Sequence, residues 1–272
     1  MKIKRPTVIN HRKPLLKLLV YKTNYEKDLL ERRMLTSKGY IHYLEHKGTG
    51  ASVIFLHGLA VNTRTWRKLI AYLPDSISVY LIDLLGHGFS DAPRIEYDVD
   101  LQVSVLSEFI ERKGLPESFV FGHSYGGWVA AIYAQKGHAC KGLILEDPAG
   151  LKDYFEGMST EGTRESRRNR LLEDGIRLNA KEHVIRSILE DDFERDHEHL
   201  TRESLASINV PVLIIWGTDD TTVKTEYSSK FNVYIKKSRL ELVEGAGHTP
   251  HYSNPEKTAT LLLDFMAGAE AI

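Results

Sequence analysis

Residues 119–135 read F-V-F-G-H-S-Y-G-G-W-V-A-A-I-Y-A-Q. Phe119–His123 is short, apolar and β-forming, whereas Tyr125–Gln135 is Ala-rich with a helical pattern. Between them stands Gly122-His123-Ser124-Tyr125-Gly126, followed by Gly127. A serine set between glycines where a strand meets a helix is the pattern of a nucleophile elbow, a turn that lifts the hydroxyl clear of a sheet. The glycines are needed because side chains there would collide with neighbouring backbone.

The same alternation continues on either side. Ser52–His57, Ile77–Asp83, Gly142–Asp147, Val210–Trp216 and Arg239–Val243 read as strands. Ser52–His57 is a continuous apolar run, as a strand buried on both faces requires. Arg64–Leu73, Val99–Lys113 (closed by Gly114 and Pro116) and Pro255–Met266 read as helices. Short strands separated by helices imply an α/β fold, a mainly parallel central sheet with helices on both faces. Residues 15–30 read as helical, and Met34–Thr36 and Tyr40–Glu45 flank a Ser37-Lys38-Gly39 turn as a hairpin. From 148 to 208 the strand pattern stops, and the segment is polar, charged and helical in period, an insertion into the sheet. The expected organisation is a basic N-terminal extension and helix over 1–30, a core formed by 31–147 and 209–272, and the helical insertion 148–208.

The 272 residues fit one large domain with an insertion. With 42% hydrophobic and 27% charged residues, disorder of the whole chain is excluded. A formal net charge of −1 argues against a nucleic-acid binder. Cys140 is the single cysteine, so there is no intramolecular disulfide and no Cys-based zinc cage. A reducing compartment fits that count, and a cytoplasmic location is expected. No stretch approaches the ~18 apolar residues of a membrane span. Residues 1–22 carry seven Lys/Arg and no acid, with no small-residue cleavage site after their short apolar run. A solvated tail running into a packed helix is favoured there over a basic segment touching anionic lipid.

A serine is a weak nucleophile at neutral pH and needs a base. His248 ends Gly245-Ala246-Gly247-His248, on a turn after the last strand; His251 is the runner-up. An acid must hold the imidazole, and Asp219 and Asp220 follow the strand ending at Trp216. An oxyanion needs backbone donors: the N–H of Leu59, in His57-Gly58-Leu59-Ala60, can pair with that of Tyr125. Trp128, Tyr154, Phe155 and Met158 are candidate substrate contacts whose competing role is packing. Arg164, Arg167, Arg168 and Arg170 cluster in the insertion; a solvated face is favoured, with Arg167 and Arg168 the candidates for an anionic group. No metal-ligand spacing is present: His197 and His199 sit among acids without a defensible partner set.

Together, H-G-L-A at 57–60, D-L-L-G-H-G-F-S-D at 83–91, G-H-S-Y-G-G at 122–127, W-G-T-D-D at 216–220 and G-A-G-H at 245–248 resemble the α/β-hydrolase fold superfamily, in its serine hydrolase branch with a helical cap. The resemblance covers about residues 31–268 and shares the chain order Ser, acid, His. It implies that 148–208 is the cap, that His57 and Asp83 are structural, and that His123 orders the elbow. Its usual G-x-x-D pattern, counted from Gly217, selects Asp220 and leaves Asp219 to cap the following helix. The implied activity is cofactor-free cleavage of a small-molecule carboxylic ester through an acyl-enzyme. Haloalkane dehalogenases and epoxide hydrolases carry Asp where Ser124 stands, which disfavours both. Carbon–carbon bond hydrolysis is a weaker fit, because Thr249-Pro250-His251 follow His248 where a Trp is usual. The resemblance also admits amide hydrolysis, perhydrolysis and the non-catalytic binding of a small ligand.

Overall fold

A strand whose residues are nearly all apolar is stable only where both faces of its sheet are covered. In the computed structural model, which describes residues 20–21, 28–156, 161–178, 180–191 and 199–270, such strands form the centre of the molecule. They are β4 (Ser52–Leu56), β5 (Ser78–Ile82), β6 (Phe119–His123), β7 (Gly142–Glu146) and β8 (Val212–Gly217), with β9 (Ser238–Val243) at one edge. The opposite edge is built by β1 (Val20–Tyr21), β2 (Leu29–Thr36) and β3 (Gly39–His46). The sheet order is β1-β2-β3-β5-β4-β6-β7-β8-β9. Pairing is antiparallel from β1 to β5 and parallel from β5 to β9.

Successive strand residues feed opposite cores. Ile54, Leu56, Val120, Leu145 and Ile214 pack with α2 (Val99–Lys113) and α3 (Tyr125–Gln135). Val53, Phe55, Phe121, Ile144 and Leu213 pack on the other face with α1 (Arg67–Ile70) and α10 (Pro255–Glu270). The expected ends of α2 are both present: Asp98 accepts from the Leu101 N–H, and Gly114 closes the helix in the left-handed region at φ 66°.

Between β7 and β8 the chain forms α4 (Lys152–Glu156), α5 (Glu161–Arg177), α6 (Glu182–Asp191) and α7 (Arg202–Ala206). A parallel bridge between Leu151 and Leu200 closes the base of this insertion. α8 (Glu226–Tyr234) follows β8, and α9 (Pro250–Ser253) precedes α10.

Two local expectations are corrected. Within the expected helix over 15–30, Val20 and Tyr21 are extended and pair with Leu30 and Leu29; a free sheet edge supplies backbone partners that local pattern does not foresee. Residues 15–19 and 22–27 lie outside the described residues. The helix expected over Arg64–Leu73 is shorter. Asn62 accepts from the Arg64 N–H and starts a 3-10 turn at Thr63–Trp66, and α1 then ends at Ile70. The hairpin forms as expected, with Thr36 opposite Gly39.

Candidate active site

The elbow is built by steric necessity. A Cβ on Gly122 would lie 2.3 Å from the Gly126 carbonyl oxygen, and one on Gly126 would lie 2.3 Å from that of Leu56. The backbone can therefore turn within a few ångströms of β4 and α3. Ser124 takes the strained values φ 53°, ψ −116° at the turn. Its N–H donates to the Glu146 carbonyl (2.9 Å), and its carbonyl accepts from Trp128 N–H (3.0 Å) and Ala149 N–H (3.0 Å). Ser124 stands at the N-cap of α3, yet its side chain makes no capping bond. The hydroxyl is instead 2.9 Å from His248 Nε2.

His248 Nδ1 lies 2.7 Å from Asp220 Oδ2. A carboxylate only accepts, so Nδ1 carries the proton and Nε2 of the neutral ring accepts from Ser124. Asp220 Oδ1 takes the Thr222 N–H (2.7 Å) and the Val223 N–H (3.0 Å). The acid is sealed, with its side chain 0% exposed, while the imidazole is 19% exposed and open to a small molecule. Ser124, Asp220 and His248 follow β6, β8 and β9, at the carboxyl ends of parallel strands.

Asp219 does not cap the following helix as expected. Its carboxylate accepts only from Thr218 Oγ1 (3.1 Å) among the described contacts, whereas Asp220 itself tethers the backbone of the following turn. Asp220 has two oxygens, and the turn brings one to the backbone and the other to the ring. Asp147, at the end of β7, accepts from the Gly217 N–H at 3.0 Å. Burial, with the Glu146 and Asp220 carboxylates nearby, pushes its carboxyl well above the usual range.

Beneath these residues lies a buried layer in which only the part of His123 is legible in the sequence. His123 Nε2 donates to the His248 carbonyl at 2.7 Å, so the elbow holds the backbone of the imidazole directly. The His251 N–H donates to Glu146 Oε1 (2.8 Å), its Nδ1 bonds to Glu146 Oε2, and its Nε2 meets Thr65 Oγ1 at 2.6 Å. The ring packs 4.4 Å from that of Trp66. Burial raises the Glu146 carboxyl to about 7 and lowers the His251 imidazole to about 3, the latter also opposed by His248. His251, the runner-up base, is thus wholly buried and 0% exposed. The one available signal was Glu146 itself, a charge ending a run otherwise buried on both faces.

The loop after β4 is held from below. His57 Nδ1 donates to the Gly58 carbonyl (2.8 Å), and its Nε2 accepts from the Leu84 N–H (3.1 Å). Asp83 accepts from His42 Nδ1 (2.8 Å), Thr63 N–H (2.7 Å) and Phe89 N–H (2.9 Å). Leu59 and Tyr125 line one cavity with Ser124. Trp128, Tyr154 and Arg167 line it too, with Ala149, Leu171, Leu189, Thr222 and Val223. Arg168 does not reach it: it borders a separate groove with Asn169, Leu172, Arg186 and Leu189. Met158 and the Phe155 side chain lie outside the described residues. Among the described residues, two groups, His123–Asp147–His248 and His123–Glu146–His251, bring ligand-type atoms within 4.8 Å of one another. Their rings are already hydrogen-bonded through His123 Nε2, His248 Nδ1 and His251 Nδ1.

The chain and its fold resemble known proteins. The chain is 26% identical over 263 residues to monoacylglycerol lipase abhd6-A of Xenopus laevis, covering 82% of this chain and 77% of that one. Its fold matches a putative lipase from Acinetobacter baumannii with a TM-score of 0.75 at 21% identity, over 89% of this chain and 92% of the other. It also matches a serine hydrolase involved in carbazole degradation with a TM-score of 0.71 at 25% identity, over 88% and 99%. The family model described as alpha/beta hydrolase matches residues 53–261, a span that contains the elbow, the Asp220 turn and His248, and the chain belongs to that family.

Proposed function

We propose that the protein is a serine hydrolase of carboxylic esters. The observation that carries this reading is the unbroken hydrogen-bonded run from Ser124 Oγ through His248 to Asp220, at 2.9 and 2.7 Å, opening on a mostly apolar cavity. His248 Nε2 removes the Ser124 proton as Oγ attacks the acyl carbon. Asp220 holds the tautomer and stabilises the imidazolium that forms. The Leu59 and Tyr125 N–H groups receive the oxyanion; loss of one such donor typically costs about 10²–10³ in rate. His248 then returns the proton to the leaving alcohol and activates the water that releases the acid. The named activity of the Xenopus relative, a monoacylglycerol lipase, supports ester cleavage, and apolar walls at Trp128, Leu171 and Leu189 suit an acyl group.

In this reading the insertion 148–208 is the cap of a core formed by 31–147 and 209–272. α5 and α6 contribute Arg167, Leu171 and Leu189 to the cavity, so the cap shapes substrate choice. A panel of p-nitrophenyl esters of increasing acyl length tests the proposal. Turnover with a defined length optimum, abolished in Ser124→Ala, is the expected outcome. Undiminished turnover in Ser124→Ala, or none on any ester, would refute it.

A further inference from the structure

β9 closes one edge of the sheet, and among the described residues only the strand β8 pairs with it. The Val212 N–H donates to the Lys237 carbonyl, and the Thr218 N–H to that of Val243. In a parallel pair alternate residues bond to the neighbour, so Arg239 and Glu241 also turn their backbone groups to β8. Those of Ser238, Leu240 and Leu242 point out of the sheet. An edge that must stay unpaired is commonly blunted by a proline, a bulge or like charges. β9 has no proline and keeps an unbroken register with β8. Leu242 is 48% exposed on it. α8 packs through Phe231 and Ile235 on the face that Leu240 joins, and leaves Val233 71% exposed.

The charges of this segment are complementary to their own reverse. Residues 236–244 read K-K-S-R-L-E-L-V-E. Antiparallel pairing about a two-fold axis at Leu240 sets Leu240 against Leu240 and Ser238 against Leu242, the residues whose backbone groups face out. Arg239 then stands opposite Glu241 of the second copy, and Lys236 opposite Glu244 of the second copy, each pair occurring twice. Moving the axis by one residue keeps the backbone bonds but opposes Glu241 to Glu241, or Arg239 to Arg239. Opposite charges across two strands stabilise the pair and like charges destabilise it, so the charges select the Leu240 register. Within one chain Arg239 Nε lies 3.3 Å from Glu241 Oε1, so both side chains occupy one face, and the axis joins two such pairs into a cluster of alternating sign. We infer that β9 is the interface of a two-fold dimer, in which the sheets of two copies join edge to edge. The assembly is closed, because each copy spends the same edge. The partner is a second copy of this chain, since a self-complementary charge order fits no other strand as well.

Sedimentation velocity on the full chain tests this. The wild type is expected to run as a dimer, and as nothing larger, at about 100 µM, a concentration that fills even a modest interface. Arg239→Glu and Glu241→Arg each set like charges against each other on both sides of the axis, and each should raise the dimer Kd by about tenfold or more. The double variant Arg239→Glu/Glu241→Arg restores opposite charges and should dimerise like the wild type. Mixed in equal amounts, the two single variants present acids against bases, and should form a mixed dimer more tightly than either pairs with itself. Leu240→Pro removes an N–H that faces away from β8, a position an edge strand tolerates, and should give a monomer with the wild-type circular dichroism. A wild type that stays monomeric at about 100 µM would overturn the inference whether or not any variant folds. A dimer that neither single variant weakens would also overturn it, by placing the contact elsewhere. So would single variants that fail to combine, because the Leu240 register requires that they do.

Discussion

Ser124 holds a backbone conformation that costs a non-glycine residue about 1–3 kcal/mol, maintained by the bonds of its N–H and carbonyl to β7, α3 and the chain beyond. That turn frees the hydroxyl from capping and presents it to His248. Asp220 divides its two oxygens between the ring and the backbone, and the two aspartates therefore have separable roles. Asp220→Asn is expected to lower kcat by about 10⁴, the effect of turning an orienting acid into an amide. Asp219→Asn should change neither kcat nor Tm appreciably, since that side chain is exposed and bonds only to Thr218 among the described contacts. Steady-state kinetics and thermal melts on the two variants check both statements. Near-equal loss of activity would mean that the acid is not assigned to one residue.

At the scale of elements, the end of β7 and the start of α9 are joined across 105 residues of sequence by Glu146 and His251. With His123 bound to the His248 carbonyl, these bonds fix the segment bearing the imidazole from two sides. Glu146→Ala leaves the His251 N–H and ring buried without their acceptor, which should cost at least about 2 kcal/mol of unfolding free energy. Glu146→Gln, which keeps an acceptor oxygen, should cost clearly less. Denaturant titration of both variants measures the difference; an unaffected Ala variant would show that the layer carries no weight. Legibility follows the same division. β6, the elbow and α3 were readable because glycine spacing and a run buried on both faces are local properties of the chain. The Asp220 turn was half readable: the two aspartates were found, but which one capped the backbone depended on a turn geometry that residue types do not determine. Glu146–His251 and the pairing of Val20–Tyr21 with β2 were not readable, because each is decided by a partner distant in sequence or by a free sheet edge.

Across the whole molecule, polar groups are buried around the site with a definite pH signature. His57, His87, His123 and His251 are held below their ordinary value of 6.5 chiefly by burial, His87 and His251 to about 3. Unfolding lets them take up protons near 6.5, so their contribution is present above that pH and is lost as pH falls through the window toward 3. Glu146, raised to about 7, and Asp147, raised well above the carboxylate range, act with the opposite sign because they hold protons in the folded chain. His87 and His251, neutral down to about 3, keep the histidine sign throughout roughly pH 4.5 to 6.5, and His57 and His123, lowered by the same burial, act with them. Tm should therefore fall on acidification from about pH 7 to about pH 5, as scanning calorimetry can record; a rise would contradict the burial of neutral histidines. Ester hydrolysis by this route depends on one atom, Ser124 Oγ, being made nucleophilic by His248. Its most direct measurement is reaction with a fluorophosphonate probe followed by peptide mass spectrometry. A single adduct on the peptide containing Ser124, absent in Ser124→Ala and strongly slowed in His248→Ala, is the expected result. A folded wild-type protein that takes no adduct, or takes it at another residue, would contradict it.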